Sequence, residues 1–211
     1  MMVARVDDVI SSPVRHKLDA SAFFRMADAG IFATDQRLEL IDGDLLDVAP
    51  TGQGHSGDVA GLNEALVLAC AGRATVWTQG SIRLNNLNVP EPDFAVLRRR
   101  ADFYATGHGP CPADLLLVIE VSDTSLHFDR TVKLPVYAGA QVPEYWIVDL
   151  KGRRVDAYRA PRGDHYAEVA TYISGDILAL TAAPEIVVSL ALFFGYASTG
   201  PSRSGTIPAG A

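Results

Sequence analysis

A mixed β-sheet flanked by helices, in a single α/β domain, is the fold class this sequence predicts. Three observations carry that expectation: an Asp42-Gly43 pair between two short apolar runs, a helical spacing of apolar residues from His55 to Ala71, and a run at Asp114–Val121 that is nearly all apolar. Asp-Gly readily takes the positive φ angles of a type I′ turn, so Leu38–Ile41 and Asp44–Val48 read as a hairpin. Val59, Leu62, Leu66 and Cys70 recur along one helical face, and Gly72 stops the run. A strand covered on both faces has no need of polar alternation, which is the pattern of Asp114–Val121. Strands and helices in this order suit a mixed sheet with helices packed on it.

The other elements follow in chain order. Residues 1–17 lack periodicity and read as a flexible lead-in. Asp19 is a good N-cap for a helix carrying Phe23, Phe24, Met26 and Ala27, with Gly30 as its stop. Strands are expected at Thr75–Gln79, Ser81–Leu84 and Asp93–Leu97, then turns over Arg98–Pro112. Residues 126–139 read as helical, with Pro135 forcing a kink or a new start. Glu144–Leu150 and Arg154–Tyr158 flank Lys151-Gly152 as a second hairpin. Short strands run to about Val188, and Ser189–Phe194 forms a terminal turn. From Ser198 the chain is rich in Ser, Gly and Pro, so 196–211 read as a disordered tail. The folded domain is expected over 18–195.

Composition narrows the class. With 211 residues, 48% hydrophobic and 20% charged, the chain suits one domain with a sizeable core. No apolar run approaches the roughly 18 residues of a membrane span. Met1–Ile10 has no basic stretch leading into an apolar one, so no secretory signal is read there. Cys70 and Cys111 make neither a disulfide framework nor a zinc pattern, and Cys70 reads as a small buried hydrophobe. A cytoplasmic protein with no membrane partner is the expectation. The net charge of −7 weighs against coating nucleic acid by bulk electrostatics. A carboxylate cluster that holds a cation would itself push the charge in this direction.

Several motifs dissolve on inspection. Gly52-x-Gly54-x-x-Gly57 matches a dinucleotide fingerprint, but that mechanism needs a parallel strand turning directly into the helix. Here the preceding strand belongs to a hairpin, Pro50 and Thr51 lengthen the turn, and no acid ends Thr75–Gln79 to hold a ribose. A glycine-rich loop is the better reading, and a nucleotide-binding enzyme built on it is a remote alternative. Gly54-His55-Ser56-Gly57 is not a Gly-x-Ser-x-Gly elbow. Histidines 16, 55, 108, 127 and 165 lack zinc-ligand spacing.

The informative stretch contains Glu91-Pro92-Asp93, Leu117-Val118-Ile119-Glu120-Val121 and Asp129-Arg130-Thr131-Val132-Lys133. Asp93 opens one strand, and Glu120 lies near the end of a strand otherwise free of charge after Asp114. A carboxylate on a buried strand is costly unless paired or bound to a cation. Two carboxylates from adjacent strands repel, and a divalent metal removes the conflict. Mg²⁺ prefers hard oxygens and keeps several waters, so two carboxylates and a backbone carbonyl suffice. A nearby lysine can orient or deprotonate water, or stabilise the charge of the transition state. Taken singly, Asp93 could cap a turn, Glu120 could pair with an arginine, and Lys133 could be a solvated helix residue.

Glu39-Leu40-Ile41-Asp42-Gly43, His55, Gln79, Ile82-Arg83-Leu84, Glu91-Pro92-Asp93, Val118–Ser125, Asp129-Arg130, Lys133–Ala138 and Val142–Asp149 together resemble the Uma2 family. The resemblance spans roughly residues 18–195. It implies a restriction-endonuclease-like fold, that of the PD-(D/E)XK nucleases, and a Mg²⁺- or Mn²⁺-dependent site. Carried onto this chain, Asp93 and Glu120 match the two motif acids, and Val121 would lend its carbonyl oxygen to the metal. Ser122 stands where the superfamily places its lysine, and Lys133 on the following helix takes that part. Glu39 matches a family acid, as a further ligand or support. The reading of Glu39 from strand alternation alone is an exposed residue, since Leu38 and Leu40 take the opposite face. Gln79 matches a family position without an assigned role. Tyr145 and Trp146 read as core.

The function so implied is a Mg²⁺-dependent endonuclease hydrolysing phosphodiester bonds of nucleic acid, DNA foremost, with a homodimer as a family-level expectation. Arg83, Arg98, Arg99 and Arg100 are the candidates for phosphate contact. The rival from another class is a catalytically silent module, on the same fold, that binds nucleic acid or protein. A metal-dependent nuclease assay separates the two.

Overall fold

A computed structural model of the chain describes residues 15–33, 36–48, 53–107 and 109–194, with side chains placed for all of these but 53–56 and 192. The expected lead-in and tail lie, apart from 15–17, outside the described residues, as does His108.

Asp19 caps helix α1 (Ala20–Asp28) by accepting the Ala22 N–H at 2.7 Å, and Gly30 leaves it at φ +67°. Strands β1 (Leu38–Ile41) and β2 (Asp44–Asp47) close around Asp42 and Gly43, at φ +49° and +76°. Gly43 is needed twice over, because a Cβ there would also run into Lys17. Helix α2 (Gln53–Cys70) begins earlier than its apolar spacing suggests. Gly54 and Gly57 are therefore inside its first turns rather than in a loop. The strand before them is half of an antiparallel hairpin, which is the wrong geometry for a dinucleotide turn.

Strands β3 (Ala74–Thr78), β4 (Phe94–Arg98), β5 (Leu115–Ser122), β6 (Glu144–Asp149), β7 (Arg154–Arg162) and β8 (His165–Ile173) form a central sheet in that order. Only β5 and β6 pair in parallel. The crossover between them carries α3 (Leu126–Phe128), a π-helical turn (Asp129–Lys133) and α4 (Leu134–Gly139). Pro135 lies at the start of α4. Having no N–H, it cannot donate back into the preceding turn, and the helix widens there instead of breaking. A separate ladder of β9 (Ile177–Leu180) and β10 (Ala183–Ser189) leads into α5 (Leu190–Phe194).

The sheet is covered on both faces. Phe94, Val96, Leu117, Ile119 and Trp146 pack toward α2, α5 and the β9–β10 ladder. Ala95, Leu97, Val118, Tyr145 and Ile147 pack toward Tyr137 of α4 and the segment holding Ile82 and Leu84. Tyr145 and Trp146 are fully buried core residues. Helix α1 packs on the hairpin through Phe23, Leu40 and Val89.

The expected strand at Ser81–Leu84 does not form a ladder. Its N–H groups go instead to three separate carbonyls: Ile82 to Pro90, Arg83 to Pro110 and Leu84 to Asn88. Pro90 and Pro92 lack the donors that a regular partner strand would need.

Candidate active site

The register of the central sheet builds the site. Phe94 on β4 lies opposite Ile119 on β5, so the next pair along the ladder is Asp93 and Glu120. The Gln79 N–H donates to the Asp93 carbonyl at 3.1 Å and extends the β3–β4 pairing by one step, which fixes where Asp93 enters. This is the visible part played by Gln79; its side chain is exposed. Asp93 Oδ2 accepts the Val121 N–H at 2.8 Å. The first candidate ligand thus holds the peptide that follows the second.

Lys133 comes in from the π-helical turn. Its Nζ donates to Glu120 Oε1 at 2.9 Å and to Glu39 Oε1 at 3.0 Å. Tyr137, one helical turn on, donates its hydroxyl to the same Glu120 oxygen at 2.7 Å. Glu39 Oε1 also accepts the Glu91 N–H at 3.0 Å. Glu39 is not the exposed strand residue that alternation suggests; it is 1% exposed. Both faces of β1 are covered, one by α1 and the other by the site, so the alternation carried no information about solvent. Asp93, Glu120 and Lys133 are likewise recessed, at 8%, 4% and 6% exposure. Glu39 on β1, Asp93 just before β4, Glu120 on β5 and Lys133 on the crossover therefore line one cleft.

Two neighbours were not singled out from sequence. Asp129, on the first residue of the π-helical turn, is buried and takes the hydroxyls of Ser122 and Ser125 on Oδ2, at 2.6 and 2.7 Å. Ser122, at the position of the superfamily's lysine, is thus occupied with orienting another carboxylate. Tyr137 and Asp129 both lie in strings that resemble the Uma2 family, and the resemblance gives neither a role. Nothing in a single sequence marks which helix residue will face a strand's glutamate.

The electrostatics follow from burial. Desolvation pushes Glu120 well above the usual carboxylate range; Lys133 pulls it down, and Asp129, Asp93 and Glu39 push it further up. Burial alone would lower Lys133, but Glu120 and Glu39 outweigh it and hold the ammonium above its ordinary value. Burial raises Asp129 as well, against the two serine hydroxyls. Tyr137 is pushed well above its usual value by burial and by Glu120, so it remains a phenol and a donor. All four shifts favour retention of protons, as expected where one ammonium faces several carboxylates.

Glu39, Asp93, Glu120, Asp129 and Lys133 line a cleft of about 500 Å³, together with Leu45–Val48 of the hairpin, Asp123–Ser125 and Phe128. Among the described residues, seven carboxylates line it (Glu39, Asp47, Glu91, Asp93, Glu120, Asp123, Asp129), against two cations, Arg37 and Lys133. The donor set suits a hard divalent cation. Its atoms are carboxylate and carbonyl oxygens, and Glu39 Oε2 is buried with no hydrogen-bond partner among the described residues. Among the described residues no three His, Cys, Asp or Glu side chains converge into a ready cage. Mg²⁺, which keeps several of its waters, does not require one.

Arg83, Arg98, Arg99 and Arg100 do not line the cleft. Arg98 ends β4, five residues and roughly 16 Å along the strand from Asp93. Its neighbours are engaged locally: Arg99 stacks on Phe103 and Arg100 forks onto Asp102. The His55 side chain lies outside the described residues. Among the described residues no helix is long and apolar enough to cross a membrane.

A crystal structure titled as a putative nuclease belonging to DUF820, from Anabaena variabilis, superimposes with a TM-score of 0.64 at 13% identity, covering 85% of this chain and 98% of that one. It establishes the likeness of fold, a mixed central sheet with flanking helices. No curated protein matches the chain. Residues 20–192, nearly all of the described structure, match the Uma2 family model, whose description is "Putative restriction endonuclease". The chain belongs to the Uma2 family.

Proposed function

We propose that this protein is a Mg²⁺- or Mn²⁺-dependent endonuclease that hydrolyses phosphodiester bonds of nucleic acid, DNA foremost. The observation that carries the reading is the meeting of Asp93, Glu120 and Lys133 on the floor of one cleft, with the Val121 peptide tied to Asp93. Asp93, Glu120 and the Val121 carbonyl would hold the cation, with Glu39 as a further ligand or support. When bound, the cation supplies Lewis acidity to a phosphoryl oxygen and favours ionisation of water. An acidic cleft repels a polyanion unless cations are taken up first, so metal and substrate binding should be coupled.

The chain's own groups supply the rest. Lys133 is a buried ammonium held at two points, and its raised pKa makes it a poor base near neutral pH. Its part is therefore to offset negative charge developing on the phosphate, and to orient groups beside Glu120. Tyr137 keeps the Glu120 carboxylate turned toward the site. Glu120 and Lys133 are recessed from solvent, which strengthens both effects.

The test is incubation with DNA and RNA panels, single- and double-stranded, with Mg²⁺, with Mn²⁺ and with EDTA. Metal-dependent internal cleavage that disappears in Asp93→Asn supports the reading. Binding of nucleic acid without cleavage under every metal condition assigns the protein to the silent-module alternative.

A further inference from the structure

We propose that Arg37 is the substrate-positioning residue of this cleft, a guanidinium that takes the nucleic-acid phosphate and is held ready by Glu91. The inference rests on the nuclease reading and assigns a substrate-binding contact to the acidic cleft.

Of the two cations that line the cleft among the described residues, Lys133 is buried and committed to Glu39 and Glu120. Arg37 is the other. Its side chain is 26% exposed, and its Nε donates to Glu91 Oε1 at 2.9 Å. No partner among the described residues engages its two Nη groups. An arginine bound through Nε alone keeps the outer edge of its fork for a second acceptor, and a phosphate presents two oxygens to such an edge. The backbone fixes where the fork sits, because the Arg37 carbonyl accepts the Val48 N–H at 2.9 Å and Leu38 opens β1. Two residues on, Glu39 reaches the Glu91 N–H and Lys133. One short segment therefore places Arg37 at the cleft and Glu39 in its floor. Glu91 serves both, with its backbone for Glu39 and its carboxylate for Arg37.

The Glu91 oxygen orients the guanidinium through Nε, while its negative charge opposes an incoming phosphate. Arg37→Gln and Glu91→Gln break the same ion pair, yet they should act in opposite directions on substrate. Loss of the cation removes the contact, whereas Glu91→Gln keeps an oxygen for Nε and removes a charge that repels phosphate. A purely structural pair would make both variants weaken binding alike.

The experiment measures anisotropy of labelled single-stranded and duplex DNA in Ca²⁺, across a salt series, for wild type, Arg37→Gln, Arg37→Lys and Glu91→Gln. Single-turnover cleavage in Mg²⁺ is followed in parallel, and folding is checked by thermal melts. Arg37→Gln should bind about ten- to a hundredfold more weakly. Its dependence of log affinity on log salt should be shallower by about 0.7 to 0.9, the loss of one phosphate contact. Arg37→Lys should restore the salt slope but only part of the affinity, because a point charge replaces a fork. Glu91→Gln should bind at least as tightly as wild type. The loss in Arg37→Gln should fall on KM more than on kcat. Equal weakening in Arg37→Gln and Glu91→Gln, or an unchanged salt slope in a folded Arg37→Gln, overturns the clamp while leaving the nuclease reading intact. A wild type that neither binds nor cleaves nucleic acid overturns both.

Discussion

Asp93, the residue before β4, accepts the backbone N–H of Val121 at 2.8 Å. This hydrogen bond ties a candidate ligand to the peptide beside the other, Glu120, so strand pairing and site geometry are one interaction. The Gln79 N–H on the Asp93 carbonyl holds the residue from the opposite side. Changes at Asp93 should therefore separate into a structural part and an electrostatic part.

Asp93→Asn keeps an oxygen acceptor for Val121 and loses the charge, so its metal-free melting temperature should stay near wild type. Asp93→Ala leaves a buried N–H unpaired, at a cost of about 1–3 kcal/mol. For wild type, a divalent cation at a hundred times its Kd should stabilise the fold by about 2.7 kcal/mol, a rise on the order of 5–10 °C. Both variants should lose most of that rise. Thermal melts with EDTA, Mg²⁺ and Mn²⁺ make the comparison, and a full metal response in Asp93→Asn would move the site elsewhere.

The raised carboxylates set a pH dependence. Glu120 and Asp129 bind protons more tightly folded than unfolded, where ordinary values are 4.5 and 3.8. Their contribution to stability is fully present below those ordinary values and is lost as pH rises through the higher folded ones. Metal-free protein should therefore lose stability as pH is raised from about 4.5 toward neutrality. Glu120→Gln mimics the protonated form and should flatten that slope. Denaturant melts in EDTA across this range check it, and an unchanged slope in Glu120→Gln would mean that Glu120 titrates normally.

Much of this site was legible because its residues are in short motifs whose chemistry is unusual for their setting. A glutamate in the apolar run of β5 and an acid after Pro92 raise the question of a cation, and the resemblance to the Uma2 family is what singles out Lys133 and Glu39 beside them. The Asp42-Gly43 hairpin and the α1 cap were equally local signals. What failed was information that only tertiary packing holds. Strand alternation left Glu39 exposed because it cannot show that both faces of β1 are covered. Arg98–Arg100 are near Asp93 in sequence, but five residues of extended chain carry them to the other end of the strand. Arg37 and Asp129 gained meaning only once β1 and the crossover helix were brought to the same cleft.

Tyr137→Phe deletes one hydroxyl and little volume. Among the described residues, Glu120 Oε1 would then have Lys133 as its remaining donor. A hydrogen bond to a charged group is worth about 1.5–3 kcal/mol, and this one is fully buried. The variant should be destabilised by roughly that amount and should need more metal for half-maximal cleavage. Metal titrations of cleavage beside denaturant melts test it; wild-type values in both would make the hydroxyl a bystander.

Lys133 permits the sharpest separation of structure from chemistry. Its ammonium lies between Glu39 and Glu120 in a nearly solvent-free position. Lys133→Met keeps most of the packing volume and removes the charge, leaving two buried carboxylates facing each other. Breaking a buried pair in this way costs about 3–5 kcal/mol, which should appear as a lower metal-free melting temperature. A divalent cation would relieve the same repulsion, so the variant should recover more stability from Mg²⁺ than wild type does. Turnover should not recover with it. If Lys133 offsets charge on the phosphate, the single-turnover rate at saturating metal should fall by about 10²–10³, with substrate affinity changed far less. Lys133→Arg should restore the charge but little of the rate, because the broader guanidinium cannot occupy the point between the two carboxylates. The measurements are melts with and without Mg²⁺ and single-turnover cleavage below the melting range of each variant. A Lys133→Met variant that is destabilised yet cleaves at the wild-type rate would make the lysine a structural ion-pair partner and leave the chemistry to the other groups of the cleft.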